Sequence, residues 1–192
     1  DYSKYSGRLN LNQKLGDHIT ANFSSNFVHS LSNRGITGND NTNTTFGFSL
    51  AFIPSFIDIR QQNGVYGSTQ GFNPSNPIQT RDLLQNREGV NRFMSSVGVT
   101  WNVLQSEKQN LDFIFQGGID NFTQENNIFS PSALIYERAQ SLPGTAVNVK
   151  TTSTLSNFYY NIVHRYQLQT DLNLKTAVGM QFENRKQDNV SV

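Results

Sequence analysis

A chain of 192 residues is long enough to bury a full core, yet only 35% of it is hydrophobic and its mean hydropathy is −0.51, although it carries 14 Phe and 7 Tyr. Disorder would explain the polarity but not the aromatics, and no run of about 18 apolar residues offers a membrane helix. Fifteen Lys and Arg against fourteen Asp and Glu leave a net charge of +1 with no basic block, which argues against nucleic acid as a partner, and the absence of cysteine removes disulfide frameworks and thiolate zinc sites.

From Tyr5 to Leu15 the odd positions hold Tyr5, Gly7, Leu9, Leu11 and Leu15, interrupted by Gln13, while Lys4, Ser6, Arg8, Asn10, Asn12 and Lys14 take the even ones. A period of two predicts a strand with one apolar and one polar face. Those faces need different solvents, and a transmembrane β-barrel supplies them by giving half of each strand to lipid and half to a wet lumen. After a tight turn at Gly16-Asp17, Ile19, Ala21, Phe23 and Phe27 alternate with His18, Thr20, Asn22, Ser24 and Asn26, completing a first hairpin. A second joins Phe93, Val97, Val99, Trp101 and Val103 through a turn at Ser106 to Asn110 to Leu111, Phe113, Phe115, Gly117 and Ile119. A third joins Phe158, Tyr160, Ile162 and Tyr166, past Gln169 to Asp171, to Leu172, Leu174, Val178, Met180 and Phe182.

The turns within hairpins are short and the connections between them long, residues 32–90 and 130–150, beyond ordinary loop lengths. Outer-membrane barrels have tight periplasmic turns and long extracellular loops, so both connections are expected outside the cell, on a single β-barrel domain spanning 1–192. Tyr5, Phe27, Phe93, Phe129 and Phe158 are expected near the outer ends of the strands, with Trp101 and Tyr166 near the inner ones, as aromatic girdles. Phe46 to Ile59 is read as part of the outer excursion, because one extra crossing would invert every later hairpin; Phe46, Leu50 and Ile53 fit a helix face that Pro54 ends. Two more short helices are predicted, one capped by Thr80 and stopped by Gly89, the other capped by Ser130 with Pro131 in its first turn.

About six crossings are too few to close a membrane barrel, and an open edge in lipid would leave backbone groups unpaired. The opening at Asp1 in mid-pattern, without Met or an apolar signal core, fits a slice of a longer chain; a homo-oligomeric barrel is the lesser alternative.

Catalysis is not expected. His18, His29 and His164 fall on different predicted strands with no carboxylate or serine at matching height. Asp112 and Asp120 share the wet face but lie roughly 26 Å apart at strand rise, too far for an acid-base pair. Asn39-Asp40-Asn41 lacks the alternating ligands and closing Glu of a calcium loop and reads as a solvated turn. No catalytic residue, metal or cofactor is therefore assigned. Tyr66 and Phe72, set among Gly, Asn, Gln and Ser, suit stacking on sugar rings or loop packing, and Arg81 and Asp82 suit substrate contact or a local ion pair. Arg8, Arg92, Asp112, Asp120, Arg165 and Lys175 are expected to face the lumen, lining a path or pairing across strands with one another and Glu183.

Several strings together carry a family likeness: Tyr5 to Gly16, Asn33 to Asp40, Phe52-Ile53-Pro54-Ser55-Phe56-Ile57-Asp58, Asn76-Pro77-Ile78-Gln79-Thr80-Arg81-Asp82-Leu83, Val90-Asn91-Arg92-Phe93, Gly117-Gly118-Ile119-Asp120 and Leu142-Pro143-Gly144-Thr145. In this order the chain resembles the SusC/RagA family, the TonB-dependent outer-membrane transporters of Bacteroidetes. The resemblance implies an internal slice of a barrel of about 22 strands, without the family's plug, TonB-contacting segment or last strand. It further implies import of glycans, oligopeptides or similar nutrients, driven by TonB through the plug and assisted by a SusD-like surface lipoprotein as lid. Two other functions fit the alternation: a secreted or surface β-sandwich adhesin, whose apolar faces meet each other, and a passive outer-membrane channel.

Overall fold

The computed structural model describes residues 1–36, 43–138 and 140–192. Six long strands form one antiparallel sheet in the order β1 (Tyr2–Leu15), β2 (Ile19–Asn33), β5 (Gln85–Gln105), β6 (Gln109–Ser130), β7 (Thr145–Gln169) and β8 (Leu172–Ser191). Between β2 and β5 lie α1 (Phe46–Phe52), a small hairpin of β3 (Gln61–Gln62) and β4 (Val65–Tyr66), and α2 (Pro77–Leu83); α3 (Ile135–Arg138) lies between β6 and β7. The three expected hairpins are β1–β2, β5–β6 and β7–β8. Gly16 takes the left-handed conformation, φ 66°, that the first turn needs and that a Cβ disfavours. Among the described residues no helix is long and apolar enough to cross a membrane.

Among the described residues the sheet has no second layer. Among the described residues the only other sheet is the two-stranded β3–β4 hairpin, and the buried hydrophobic residues are Ile57, Leu84, Leu134 and Val163. Three of these four belong to the connections, where the structure has its packed core.

That core is organised by α2. Asn76 caps the helix, its Oδ1 accepting from Ile78 N at 2.9 Å and Gln79 N at 3.2 Å, and Pro77 follows with its φ already set for the first turn. The same fully buried side chain donates to the carbonyls of Ile59 at 2.8 Å and Gly67 at 2.9 Å, tying the β3–β4 hairpin to the helix. Gly67 has to be glycine, because a Cβ there would stand 2.2 Å from the Asp58 carbonyl oxygen. Gln79 reaches the other connection: its Nε2 donates to Ala133 O at 3.0 Å and its Oε1 accepts from Ile135 N at 3.1 Å, beside a fully buried Leu134. Glu137 closes that loop by accepting from Gly144 N and Thr145 Oγ1. The two long connections are thus one packed unit.

Three sequence-based boundaries, belonging to two predicted helices, need correction. Thr80 lies inside α2 and Gly89 inside β5, because Asn76 with Pro77 is the stronger start signal and the β5 ladder begins at Gln85. Ser130 ends β6 instead of capping a helix; a turn closed by Leu134 N on Pro131 O at 3.0 Å intervenes before α3. The helix read at Phe46 and Leu50 forms as α1, which ends at Phe52 and leaves Ile53 as an extended cap just ahead of Pro54.

Asn76→Ala removes the cap and strands two buried carbonyls, a local loss of about 2–4 kcal/mol. Hydrogen exchange at the Ile78 and Gln79 amides should accelerate at least tenfold while the β5–β6 ladder stays protected; unchanged exchange would contradict this role for Asn76.

Candidate functional site

The pairing register assigns every strand residue to one of two faces. One rung runs Leu11, Phe23, Val97, Gly117, Phe158, Phe182, and it belongs wholly to the apolar face. Nothing covers that face among the described residues: Leu9 is 51% exposed, Leu11 53% and Met180 57%.

The apolar face does not follow the rungs. Its outer limit lies at Tyr5 on β1, Phe27 on β2, Phe93 on β5, Ile119 on β6, Phe158 on β7 and Phe182 on β8. Past that line the same face turns polar, through Asn121, Thr123 and Glu125 on β6, Ser156, Thr154 and Thr152 on β7, and Asn184, Lys186 and Asp188 on β8, with Leu31, Phe129 and Val190 as exceptions close to strand ends. The rung through Phe182 meets β1 at Leu11, whereas the limit on β1 is Tyr5, six residues farther out. That displacement is about 20 Å along the strand over five strand spacings of about 4.8 Å, so the limit crosses the strands as it would if they tilted by about 40°. From Tyr5 to Leu15 the apolar stretch is about 34 Å along the strand, or about 26 Å measured across the band. The slant also corrects two girdle positions: Phe158 sits in the middle of β7, yet on the band's outer limit, and Phe129, at the far end of β6, lies ten residues past that limit.

The opposite face carries all the charged and most of the amide and hydroxyl residues of the band's height, with Val28, Met94, Ile114 and Val163 among them, and two of its expected charges are paired. Arg92 donates to both carboxylate oxygens of Asp120, with Nε at 2.9 Å from Oδ1. Arg165 donates to Asp112 Oδ2 at 2.5 Å, and Asn102 Nδ2 donates to the other oxygen at 2.8 Å, leaving Asp112 8% exposed. The two carboxylates therefore belong to separate clusters. Arg8 and Lys175 lie on the same face and are in no ion pair among the described residues. Glu183 stands opposite Asn157, whose amide, turned to donate, reaches it at 3.1 Å.

In the connection between β2 and β5 the structure brings together three of the four candidate ligand residues. Tyr66 Oη donates to Asp82 Oδ2 at 3.3 Å, and Arg81 Nε donates to Asp82 Oδ1 at 2.7 Å. Partial burial and the Asp82 charge push the Tyr66 phenol above its ordinary value. Phe72 is not part of this cluster; it is 51% exposed in a turn whose amide bonds Thr69 O. A groove of about 230 Å³ beside Arg81 is lined by Arg34, Phe46, Thr80 and Leu84, among others, and Thr80 Oγ1 has no partner among the described residues. Elsewhere in the same connection Asp58 accepts from Arg60 at 2.9 Å through each oxygen, which holds its carboxyl well below the usual range.

Sequence reasoning missed Asp58, Arg60 and the buried Ser49, Asn73 and Ser75, whose side chains bond one another and the Asn43 carbonyl at 2.7–3.1 Å. The Asn-Pro start of α2 was a readable signal for Asn76, whereas nothing local marks Gln79 as a bridge across 54 residues. His18 lies in the first turn instead of on a strand; His29 bonds Asn91 at 2.7 Å and stacks on Tyr5, and His164 lies beside Tyr166. Among the described residues no group of three or more His, Cys, Asp and Glu is placed to hold a metal. Asn39-Asp40-Asn41, and the Thr37 to Asp40 end of one family-like string, lie outside the described residues. No protein-family model matches this chain, and no curated protein matches it.

In an ultraviolet titration, the phenol lost in Tyr66→Phe should be one that ionises above pH 10. Asp82→Asn should bring the Tyr66 transition down, since it removes a negative charge that opposes ionisation; no movement would break the link between the two residues.

Proposed function

We propose that this chain is a stretch of wall from a transmembrane β-barrel of the bacterial outer membrane, in a SusC/RagA-like, TonB-dependent nutrient importer. One observation carries the membrane reading: the apolar face is a tilted band of about 26 Å, against about 25 Å for the lipid-facing band of outer-membrane barrels, and its slant of about 40° falls in their range of strand tilts. Six adjacent strands agree on that line.

An apolar face this broad has to be covered, since monomeric soluble proteins rarely expose contiguous patches beyond a few hundred Å². A β-sandwich would cover it with a second sheet, and its core would extend along the paired strands. Here β6 and β7 continue past the band for more than ten residues with mainly polar residues on the face the band has left, the opposite face mixing Asp120, Gln124, Ser153 and Thr151 with Phe122, Ile128, Val149 and Leu155, as strands can that rise out of a bilayer into water. The free edges of β1 and β8 point the same way. In lipid their unpaired N–H and C=O groups require neighbouring strands, which the rest of the barrel would supply.

The importer reading rests on the family-like strings, which run in order along most of the chain. On it, nutrient is captured between barrel and lid, the plug moves under TonB, and cargo passes over the polar face. The SusD-like lipoprotein lid is supported by strongly exposed apolar residues on the outer connections, Phe56 at 80% and Leu142 at 85%. Neutral side chains such as Asn10, Ser24, Tyr159 and Gln181, bonded across strands, give the wall a surface suited to hydroxyl-rich or peptide cargo. The wall does no chemistry in this account. A passive channel would share the architecture and lack only the plug.

Neighbouring substitutions on opposite faces test the reading. Leu11→Arg places a charge near mid-band, costing about 2–4 kcal/mol, while Asn12→Arg places it in the lumen at little cost. In the full parent protein the first should reduce heat-modifiable, folded barrel in outer membranes several-fold and the second should not. Equal tolerance, or release of the parent into plain buffer, would contradict a lipid-facing band.

A further inference from the structure

Lysine and arginine on the polar face are sorted by position in the sheet. On the inner strands Arg92 of β5 is paired with Asp120 and Arg165 of β7 with Asp112, each partner lying on the adjacent β6. On the two edge strands the polar-face cations are Lys4, Arg8 and Lys14 of β1 and Lys175 and Arg185 of β8, and none of these five is in an ion pair among the described residues.

No carboxylate stands directly opposite any of them, and Glu183, two residues from Arg185 on the same face of β8, makes no ion pair among the described residues. Lys4, Arg8 and Lys14 stand opposite Ser30, Asn26 and Thr20, and neither β1 nor β2 contains an acidic residue. Asp17 in the adjoining turn makes no ion pair among the described residues. On β8, Lys175 stands opposite Arg165, a like charge whose carboxylate partner is already engaged, and Arg185 stands opposite Leu155. Like charges directly opposite each other destabilise a strand pair, and opposite charges stabilise it.

We propose that the strands flanking β1 and β8 carry aspartate or glutamate on their polar faces, opposite or diagonal to Lys4, Arg8, Lys14, Lys175 and Arg185. This rests on the barrel reading, which places a strand at each free edge. A neighbouring strand lies about 4.8 Å away and its directly opposite side chains start about 5 Å apart, within easy reach of Lys and Arg. The occupant nearest these cations is then that strand, and carboxylates there would repeat the pairing already made between β5 and β6 and between β6 and β7. They would also fix which strands meet and in what register.

The test is zero-length carbodiimide coupling of the full parent protein, folded in detergent, followed by peptide mass spectrometry. Heat-modifiable migration of the same sample reports first on whether a barrel is present, and its absence would overturn the barrel reading itself. In an intact barrel, Lys150 and Glu125, 3.0 Å apart and about half exposed, are the internal control. The expected result is an amide link from Lys4 or Lys14, and another from Lys175, to Asp or Glu within alternating, strand-like segments, at yields similar to the control. Links only to carboxylates of a non-alternating luminal domain would overturn the proposal, as would no link from these lysines while the control couples.

Discussion

Everything in this molecule depends on a backbone ladder that pairs its own polar groups while holding two incompatible faces apart. Side chains alternate strictly along a strand, so a slip of one residue in any pairing would carry Leu9 and Leu11 to the charged side and Arg8 to the apolar one. The register runs unbroken along β1, β2 and most of the other strands. Its two irregularities, at Asn102/Leu104 and Gln167/Gln169, sit beside the short turns, where the apolar band has nearly ended. The apolar residues do not pack on one another as a globular core does; they present a surface, and the ladder positions it.

A second consequence concerns length. About ten residues of each strand suffice for the band, yet β6 has 22 and β7 has 25. The excess forms a polar wall standing beyond the band, and the two long connections gather against its end. Their cohesion comes mainly from buried amide and hydroxyl groups: Asn76, Gln79 and the Ser49, Asn73 and Ser75 group are 4% exposed or less. Such a network is stable only when nearly every member is satisfied, so loops joined this way behave as one body. The Tyr66, Arg81 and Asp82 cluster rides on that body, so whatever reaches it meets a preset arrangement.

How far the sequence revealed this varied with the range of the determining contact. The hairpins were legible because alternation and turn residues such as Gly16-Asp17 are local signals. The ends joined by short turns and the ends joined by long connections could be told apart from the spacing of the alternating stretches alone. The helix limits were misread where two start signals competed, as with Asn76-Pro77 against Thr80, and where ladder pairing drew Gly89 and Ser130 into strands. Phe158 was placed near a strand end because the slant of the band emerges only once all five pairings are known. Of the candidate site, the Arg81–Asp82 pair was readable from adjacency, but its union with Tyr66 across 16 residues was not. The partners of Arg92 and Arg165 came from a correct assignment of faces combined with a register that no single strand encodes.

The claim with most weight on it is that lipid touches the slanted band. Nitroxide labels introduced one at a time at Leu11, Val97, Ile119 and Phe182, and at Asn12, Thr123 and Lys186, in the reconstituted parent protein would measure it through collision rates with oxygen and with a water-soluble nickel chelate. The account predicts oxygen-dominated relaxation at the first four positions and nickel-dominated relaxation at the last three, with the boundary crossing the rungs at about 40°. Nickel access at Leu11 and Phe182 equal to that at Asn12, or a boundary lying along the rungs, would contradict it.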